Sequence, residues 1–252
     1  MKGQRIGDKY FKQQLLINDP NTSRFVPKMK VFTDHNFWVF LNEYKKVVIK
    51  PIRGSLGKGL IFITKTEPDI YDVHSLNQRK VISGKNNVLT FIKSNVKAKS
   101  MIQHYIPLVK VKEQPLDFRL ICQREKGSNE WVVTGKYARV AHADYAVTNM
   151  TKGASILTVE DALSQSNLCN DTTNDISLTL NKVAISVARC LSKQFHKQLI
   201  WGCDLAVADD GSVWIIEANS NPQTNGFNQL ETLQPMLHLI NQYKQRNKNF
   251  WK

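Results

Sequence analysis

LIWGCDLAVADDGSVWIIEANSNP, residues 199–222, reads as two strands joined by a tight turn. Asp210-Gly211 is a two-residue hairpin signal, because a type I′ turn needs positive φ at both central positions. With those two residues in the turn, Asp209 faces Ser212, and counting outward puts Asp204 opposite Glu217. Side chains alternate faces along a strand, so Asn219 shares a face with Glu217. One hairpin then gathers two carboxylates and an amide oxygen on one side, a donor set that suits Mg²⁺. The rest of that face reads as apolar: Ala206, Ala208, Val213 and Ile215. Carboxylates at the end of such a surface are costly without a counter-cation. The competing reading is an amphipathic hairpin with acidic residues at its edge.

At 252 residues the chain is long enough for one large domain or two small ones. Its 42% hydrophobic and 22% charged residues are ordinary for a globular protein. The apolar runs are too short to span a bilayer, so no membrane partner is expected. MKGQRIGDKYFKQQ at the start lacks the apolar core of a secretory signal. Cys122, Cys169, Cys190 and Cys203 are scattered, without CxxC pairs or neighbouring histidines. A zinc site or disulfide framework is disfavoured, and a cytoplasmic location is expected. Thirty-five Lys and Arg against 21 Asp and Glu give a net charge of +14, which favours anionic partners such as nucleotides or acidic peptides. The basic residues are spread out, with no zinc finger, RNP-like motif or solid basic run. Nucleic acid is not specifically indicated.

Along the chain, residues 1–45 are polar and mixed, with helical spacing near Tyr10–Leu16 and Asn36–Tyr44. Lys46–Lys50 and Leu60–Thr64 are β-rich runs flanking a glycine loop, and residues 65–86 read as loop with short elements. Val88–Ser94 reads as a short helix and Met101–Ile106 as a strand. Phe118–Gln123 and Trp131–Val140 read as an antiparallel pair around a turn at Lys126–Asn129. Residues 141–172 read mostly as loop. Asn174–Lys197 is the clearest helix, with Ile176, Leu180, Val183, Ala184, Val187, Ala188 and Leu191 at helical spacing. Leu230–Tyr243 reads as a terminal helix. This order predicts an α+β fold of antiparallel sheets with helices packed on them.

KPIRGSLGKG, residues 50–59, is the second informative stretch. Gly54, Gly57 and Gly59, interleaved with Arg53, Ser55 and Lys58, let backbone N–H groups approach a phosphate chain closely. GxxxxGK[ST] is absent, since Gly57-Lys58 is followed by Gly59. A dinucleotide fingerprint needs strand, loop and helix, whereas strands are expected on both sides here. What remains is a glycine flap between antiparallel strands, with Lys50 ending an apolar strand and offering a fixed cation to phosphate. A flexible surface hairpin with snorkelling lysines is the plainer alternative.

A phosphate-covering flap together with a carboxylate–carboxylate–amide set points to Mg²⁺ and ATP. Here the chain resembles the ATP-grasp superfamily, and within it the YheC/YheD-type spore-coat-associated proteins. It is also similar to the ribosomal-protein glutamate ligases. The motifs that carry the resemblance are VVIKPIRGSLGKG (47–59), IQHYI (102–106), DFRL (117–120), GKYARV (135–140), TNMTKG (148–153), GCDLAV (202–207) and WIIEANSNP (214–222).

The resemblance implies two α+β subdomains whose antiparallel sheets clasp ATP. Residues 1–45 would be a short N-terminal segment, 46–106 the small subdomain with the flap, and 107–252 the C-terminal subdomain with the metal site. By the same resemblance, Lys50 contacts the nucleotide phosphates and Gly54–Gly59 close over them. Gln103, Tyr105 and Ile106 fall at the hinge that meets adenine. Asp117 reaches the ribose or nucleotide; a strand-end acid paired with Arg119 is the plainer reading. Arg119 and Arg139 hold phosphate or an acylphosphate. Asn149 lies near the γ-phosphate, and Lys152-Gly153 forms a substrate-side turn. Asp204, Glu217 and Asn219 hold Mg²⁺.

The implied activity is carboxylate–amine ligation through an acylphosphate, with Arg119, Arg139 and Lys50 as catalytic residues. The partners are then ATP, a carboxylate and an amine acceptor, with an acidic peptide suited to the positive charge. An ATP-grasp phosphotransferase and a non-catalytic ATP-binding coat protein are the alternatives. Two departures bear on the acceptor: only about 45 residues precede the first flap strand, and the metal strand runs on as Asn219-Ser220-Asn221-Pro222. A partner chain or second copy completing the acceptor site is consistent with the first.

Overall fold

The computed structural model describes residues 6–54, 59–75, 78–142, 153–168 and 173–249. The chain begins with helix α1 (Lys9–Ile17), capped by Asp8, whose carboxylate accepts from the Phe11 amide. Strand β1 (Met29–Val31) and helix α2 (Asp34–Tyr44) follow, the latter capped by Thr33. Next come strands β2 (Lys46–Pro51), β3 (Ile61–Glu67), β4 (Ile70–Ser75) and β5 (Gln78–Ser83). Helix α3 (Lys85–Asn95) and strand β6 (Ser100–His104) complete this half. The strands make one antiparallel sheet in the order β1-β6-β2-β3-β4-β5. One face carries Val47, Ile49, Ile61, Ile63, Tyr71 and Val73, packed on Phe37, Phe40 and Leu41 of α2 and Val88 and Ile92 of α3. Alternation sends Lys46, Val48 and Lys50 to the other face.

The second half holds β7 (Lys110–Val111), β8 (Gln114–Gln123), β9 (Val132–Val140), β10 (Ser155–Leu157) and α4 (Val159–Ser164). Then come α5 (Thr173–Gln194), β11 (Ile200–Val207), β12 (Val213–Asn219) and α6 (Gln234–Asn249). Its sheet runs β10-β9-β8-β11-β12, with β7 paired to β8. The apolar stripe of α5, from Ile176 to Leu191, covers a face that includes Phe118, Leu120, Cys203, Leu205, Val207, Val213 and Ile215. Each large aliphatic side chain buried there contributes about 1.5–3 kcal/mol relative to exposure. On the opposite face Ile121 and Tyr137 pack with Phe227, Leu233 and Ile240. Among the described residues no helix is long and apolar enough to cross a membrane.

Two segments differ from the sequence reading. Residues 65–86 hold two regular strands, β4 and β5, where loop with short elements was expected. Tyr71 and Val73 are buried between the polar Asp72 and His74, a period-2 pattern hidden by its polar half. β5 is an edge strand with almost no buried side chain, so hydrophobic pattern carries no signal for it. Within 141–172 the short β10 and α4 form, with Val159, Ala162 and Leu163 buried in the α5 core. Cys169 lies outside the described residues; Cys122, Cys190 and Cys203 are buried and free.

Candidate functional site

The β11–β12 hairpin brings Asp204 opposite Glu217, and its turn differs from the expected one. The Ala208 amide donates to Ser212 O and the Gly211 amide to Ala208 O, enclosing a three-residue loop. Only Gly211, at φ +83°, adopts the left-handed region, which rules out a type I′ turn at Asp210-Gly211. Near the turn Val207 therefore pairs with Val213 and Leu205 with Ile215. A β-bulge then inserts Ile216 and restores Asp204–Glu217 and Gly202–Asn219. The bulge also corrects the face. Val213 and Ile215 pack with Leu205 against α5, while Trp214 lies on the side of Asp204 and Glu217.

β12 is an edge strand, so its outer carbonyls need partners from outside the sheet. Helix α1 supplies them: Gln13 Nε2 donates to Ile216 O at 3.0 Å, and Lys12 Nζ donates to Ala218 O. Lys9, one turn earlier, pairs with Glu217 at 3.0 Å. Lys9, Lys12, Gln13 and Leu16 fall at i, i+3, i+4 and i+7, one helix face. That face is mostly polar, so a search for apolar stripes passes over it.

Gly202 allows the strand beyond β12 to cross closely. A Cβ there would come within 2.4 Å of Pro222 Cβ. Gly202→Ala is expected to lose about 1–3 kcal/mol of stability through overpacking, read as a lower denaturant midpoint at unchanged slope. An unchanged midpoint would show that the Ser220–Pro222 segment yields freely.

On the same face lie Asp117 and Arg119 of β8 and Arg139 of β9, all nearly buried. Arg119 makes a fork on Asp204 with contacts of 2.5 and 3.0 Å. Arg139 makes a fork on Asp117 at 2.7 and 2.6 Å and also meets Asp204 at 3.2 Å. Asp117 and Arg119 are near neighbours on one face, yet each takes its main partner from another strand. Burial pushes the Asp204 carboxyl up, but Arg119 and Arg139 outweigh it and hold Asp204 below the usual carboxylate range. Burial likewise works against charge on Arg139, and Asp117 and Asp204 more than offset it.

The donor set fits a hard, oxygen-seeking cation. Glu217 pairs with Lys9, and Asn219 gives its amide nitrogen to Asp204 at 3.2 Å, leaving its oxygen on the other side of the group. Asp204 is held by both arginines, so it meets a metal only when they turn to another anion. Among the described residues no cluster of three or more His, Cys, Asp and Glu side chains exists. The set is two carboxylates and an amide.

Across from it, Lys50 is buried on the face of the N-terminal sheet opposite α2 and α3. Burial pushes its ammonium down to about 8, with Glu217 favouring the charge and Lys9 opposing it. Unfolded, a lysine keeps its proton to 10.5, so between 8 and 10.5 the unfolded chain binds more protons and stability without ligand rises with pH. If Lys50 meets phosphate, affinity for a phosphate ligand is expected to fall over the same range, because the neutral amine no longer attracts it. Calorimetric titrations with ATP and thermal melts from pH 7 to 10 read both trends. Lys50→Met is expected to abolish both, and a pH-independent affinity in the parent would contradict the assignment.

At the hinge, the Tyr105 amide donates to Lys46 O, and Ile106 and Gln103 are buried. Gln103 Oε1 is buried on the Lys50 face without a hydrogen-bond partner among the described residues, an acceptor suited to an incoming amino group. His104 stacks on Tyr44 at 5.0 Å and meets the Trp214 edge at 5.5 Å, tying the hinge to β12. Arg53, Gly54 and Gly59 flank the glycine loop, with Gly54 at φ +123° and Gly59 at +77°. Ser55, Gly57, Lys58, Asn149 and Lys152 lie outside the described residues.

Residues 1–245 match the model of the family described as YheC/D like ATP-grasp. The chain belongs to that family. This YheC/D-like ATP-grasp chain is 24% identical over 248 residues to the endospore coat-associated protein YheD of Bacillus subtilis, covering 95% of this chain and 52% of that protein. It is 23% identical over 228 residues to YheC of the same organism, covering 87% and 61%. The chain thus spans little more than half the length of these curated relatives. Among solved structures, it is similar in fold to the ATP-grasp ligase PsnB complexed with a minimal precursor, with TM-score 0.54, 15% identity and coverage of 96% and 62%. It is likewise similar to N5-carboxyaminoimidazole synthetase from Staphylococcus aureus complexed with ADP, with TM-score 0.54, 10% identity and coverage of 88% and 47%. At these identities the likeness shows the fold.

Proposed function

We propose that the chain is an ATP-dependent carboxylate–amine ligase that closes its two sheets over Mg²⁺ and ATP. The observation that carries this reading is Lys50, a buried cation on one sheet whose main opposite charge, Glu217, stands on the other. One sheet then offers a cation to phosphate and the other offers carboxylates to a metal. Asp204, Glu217 and Asn219 would hold the Mg²⁺, which when bound neutralises and orients the phosphates. By the family resemblance, Gln103, Tyr105 and Ile106 would receive adenine and Asp117 the ribose side; Arg53, Ser55, Gly57, Lys58 and Gly59 are assigned to the phosphates and Asn149 to the γ-phosphate.

In the reaction the γ-phosphoryl group passes to a substrate carboxylate, giving an acylphosphate and ADP. An amine then attacks the acyl carbon, forming an amide and releasing inorganic phosphate. No side-chain nucleophile is needed, and positioning and charge neutralisation do the work. Arg119 and Arg139 suit this role: each already forks onto a carboxylate and meets a phosphate dianion with the same geometry.

The test is incubation with Mg²⁺ and ATP against pooled amino acids and acidic peptides, reading phosphate release and product mass. An amide mass with one phosphate per product supports ligation, and a stable phosphorylated product assigns a phosphotransferase. Nucleotide binding without turnover under every acceptor would overturn the catalytic reading. One observation favours that last outcome: the curated relatives are named for association with the endospore coat.

A further inference from the structure

A cavity of about 190 Å³ opens on the Lys50 face of the N-terminal sheet. It is lined by Lys46 of β2, Phe62 and Thr64 of β3, Asp72 and His74 of β4 and Arg79 of β5. Register explains the grouping: Lys46 pairs with Thr64, Thr64 with Asp72, Phe62 with His74, and His74 with Arg79. Cross-strand partners share a face, so four adjacent strands aim these side chains to one side. Lys46 lies four residues from Lys50, about 13 Å along the strand, so a group bound there is not the phosphate that Lys50 holds.

The cavity's charges are unevenly matched. Among the described residues Asp72 is the one acid in its wall, and Arg79 occupies it with three contacts of 2.8, 3.0 and 2.7 Å. Lys46 has no ion pair among the described residues; its ammonium sits 3.7 Å above the Tyr105 ring. Burial pushes the Lys46 ammonium down; Asp72, already held by Arg79, favours its charge, and the like charges of Arg79 and Lys110 oppose it. A desolvated cation over an aromatic face, beside a second cation already fixed in place, gains most from an incoming anion. Phe62 supplies an apolar wall, 6.1 Å from Tyr105. The volume is below the roughly 300 Å³ of a whole small-molecule site and matches one side chain.

We propose that this cavity receives a glutamate or aspartate side chain of an acidic peptide substrate, with Lys46 as the recognising cation. Calling the peptide a substrate rests on the ligase reading; the binding itself does not.

The test is fluorescence anisotropy of a labelled hexaglutamate peptide with the whole chain, at saturating ATP and without turnover. Lys46→Met keeps the stem over Tyr105 and removes the charge, and is expected to weaken peptide binding about tenfold while ATP affinity stays within about twofold. Asp72→Asn removes the repelling carboxylate and is expected to tighten binding several-fold, a gain that misfolding cannot produce. A hexaglutamine peptide is expected not to bind. Unchanged affinity in Lys46→Met, no gain in Asp72→Asn, or exclusion of the peptide by ATP would each overturn the assignment. So would free glutamate or inorganic phosphate competing as strongly as the peptide. Failure to find an amide product would sink the ligase reading and leave these affinities standing.

Discussion

Glu217→Gln is expected to lower acceptor-dependent ATP turnover by at least about 100-fold while leaving the fold in place. Among the described residues Glu217 is the one acid that reaches both Lys9 and Lys50, and it shares a rung of the hairpin with Asp204. Removing its charge takes away a proposed metal ligand and leaves Lys9, Lys12 and Lys50 close together without their common counter-ion. The structural loss is small, because the Lys9–Glu217 pair is only partly buried and such pairs contribute up to about 1 kcal/mol. Phosphate release and a thermal melt on the same sample separate the two effects. Turnover above a tenth of the parent's would remove Glu217 from the machinery, and a collapsed melting temperature would make it structural.

Arg139→Ala is expected to act the other way, striking stability first. Arg139 is buried and holds Asp117 and Asp204 at once. Its loss leaves Asp117 buried without its fork, at a cost of about 3–5 kcal/mol for an orphaned buried charge. For a chain of this size that lowers the melting temperature by about 10 °C. The pH dependence follows from Asp204, whose carboxyl the two arginines hold below 3.8. A depressed carboxyl contributes stability that is present above 3.8 and lost as pH falls through its native value. Losing Arg139 raises that native value, so the acid-unfolding midpoint is expected to move to higher pH. Arg139→Lys keeps the charge and loses the fork, and should fall between. A midpoint unmoved in Arg139→Ala would mean that Arg119 alone sets the Asp204 environment.

Much of this site was legible because it is local. Asp204 and Glu217 lie on one short hairpin, where counting from the turn suffices. The count reached the right pair by way of two offsets that cancel. The turn holds three residues rather than two, and the bulge at Ile216 restores the shift. A bulge has no sequence mark of its own, so the misplaced Val213 and Ile215 could not have been foreseen from alternation. Residues that act across long separations were not legible. Lys9, Lys12 and Gln13 brace a strand about 200 residues away, and a polar helix face reads as solvated until its partner is known. The Asp117–Arg139 and Arg119–Asp204 forks depend on strand order, whereas adjacency in sequence suggested Asp117 with Arg119. The strands β4 and β5 were missed for a related reason: half or more of their side chains face solvent or the cleft.

The most direct measurement is calorimetric titration of ATP into the parent chain and Glu217→Ala, each with and without Mg²⁺. The parent should bind ATP in both buffers and more tightly with Mg²⁺. Glu217→Ala should keep the Mg²⁺-free affinity, which Lys50 and the hinge supply, and lose the gain from Mg²⁺. No ATP binding by the parent, or a Mg²⁺ gain that survives in Glu217→Ala, would contradict a nucleotide held between the Lys50 sheet and the Glu217 sheet.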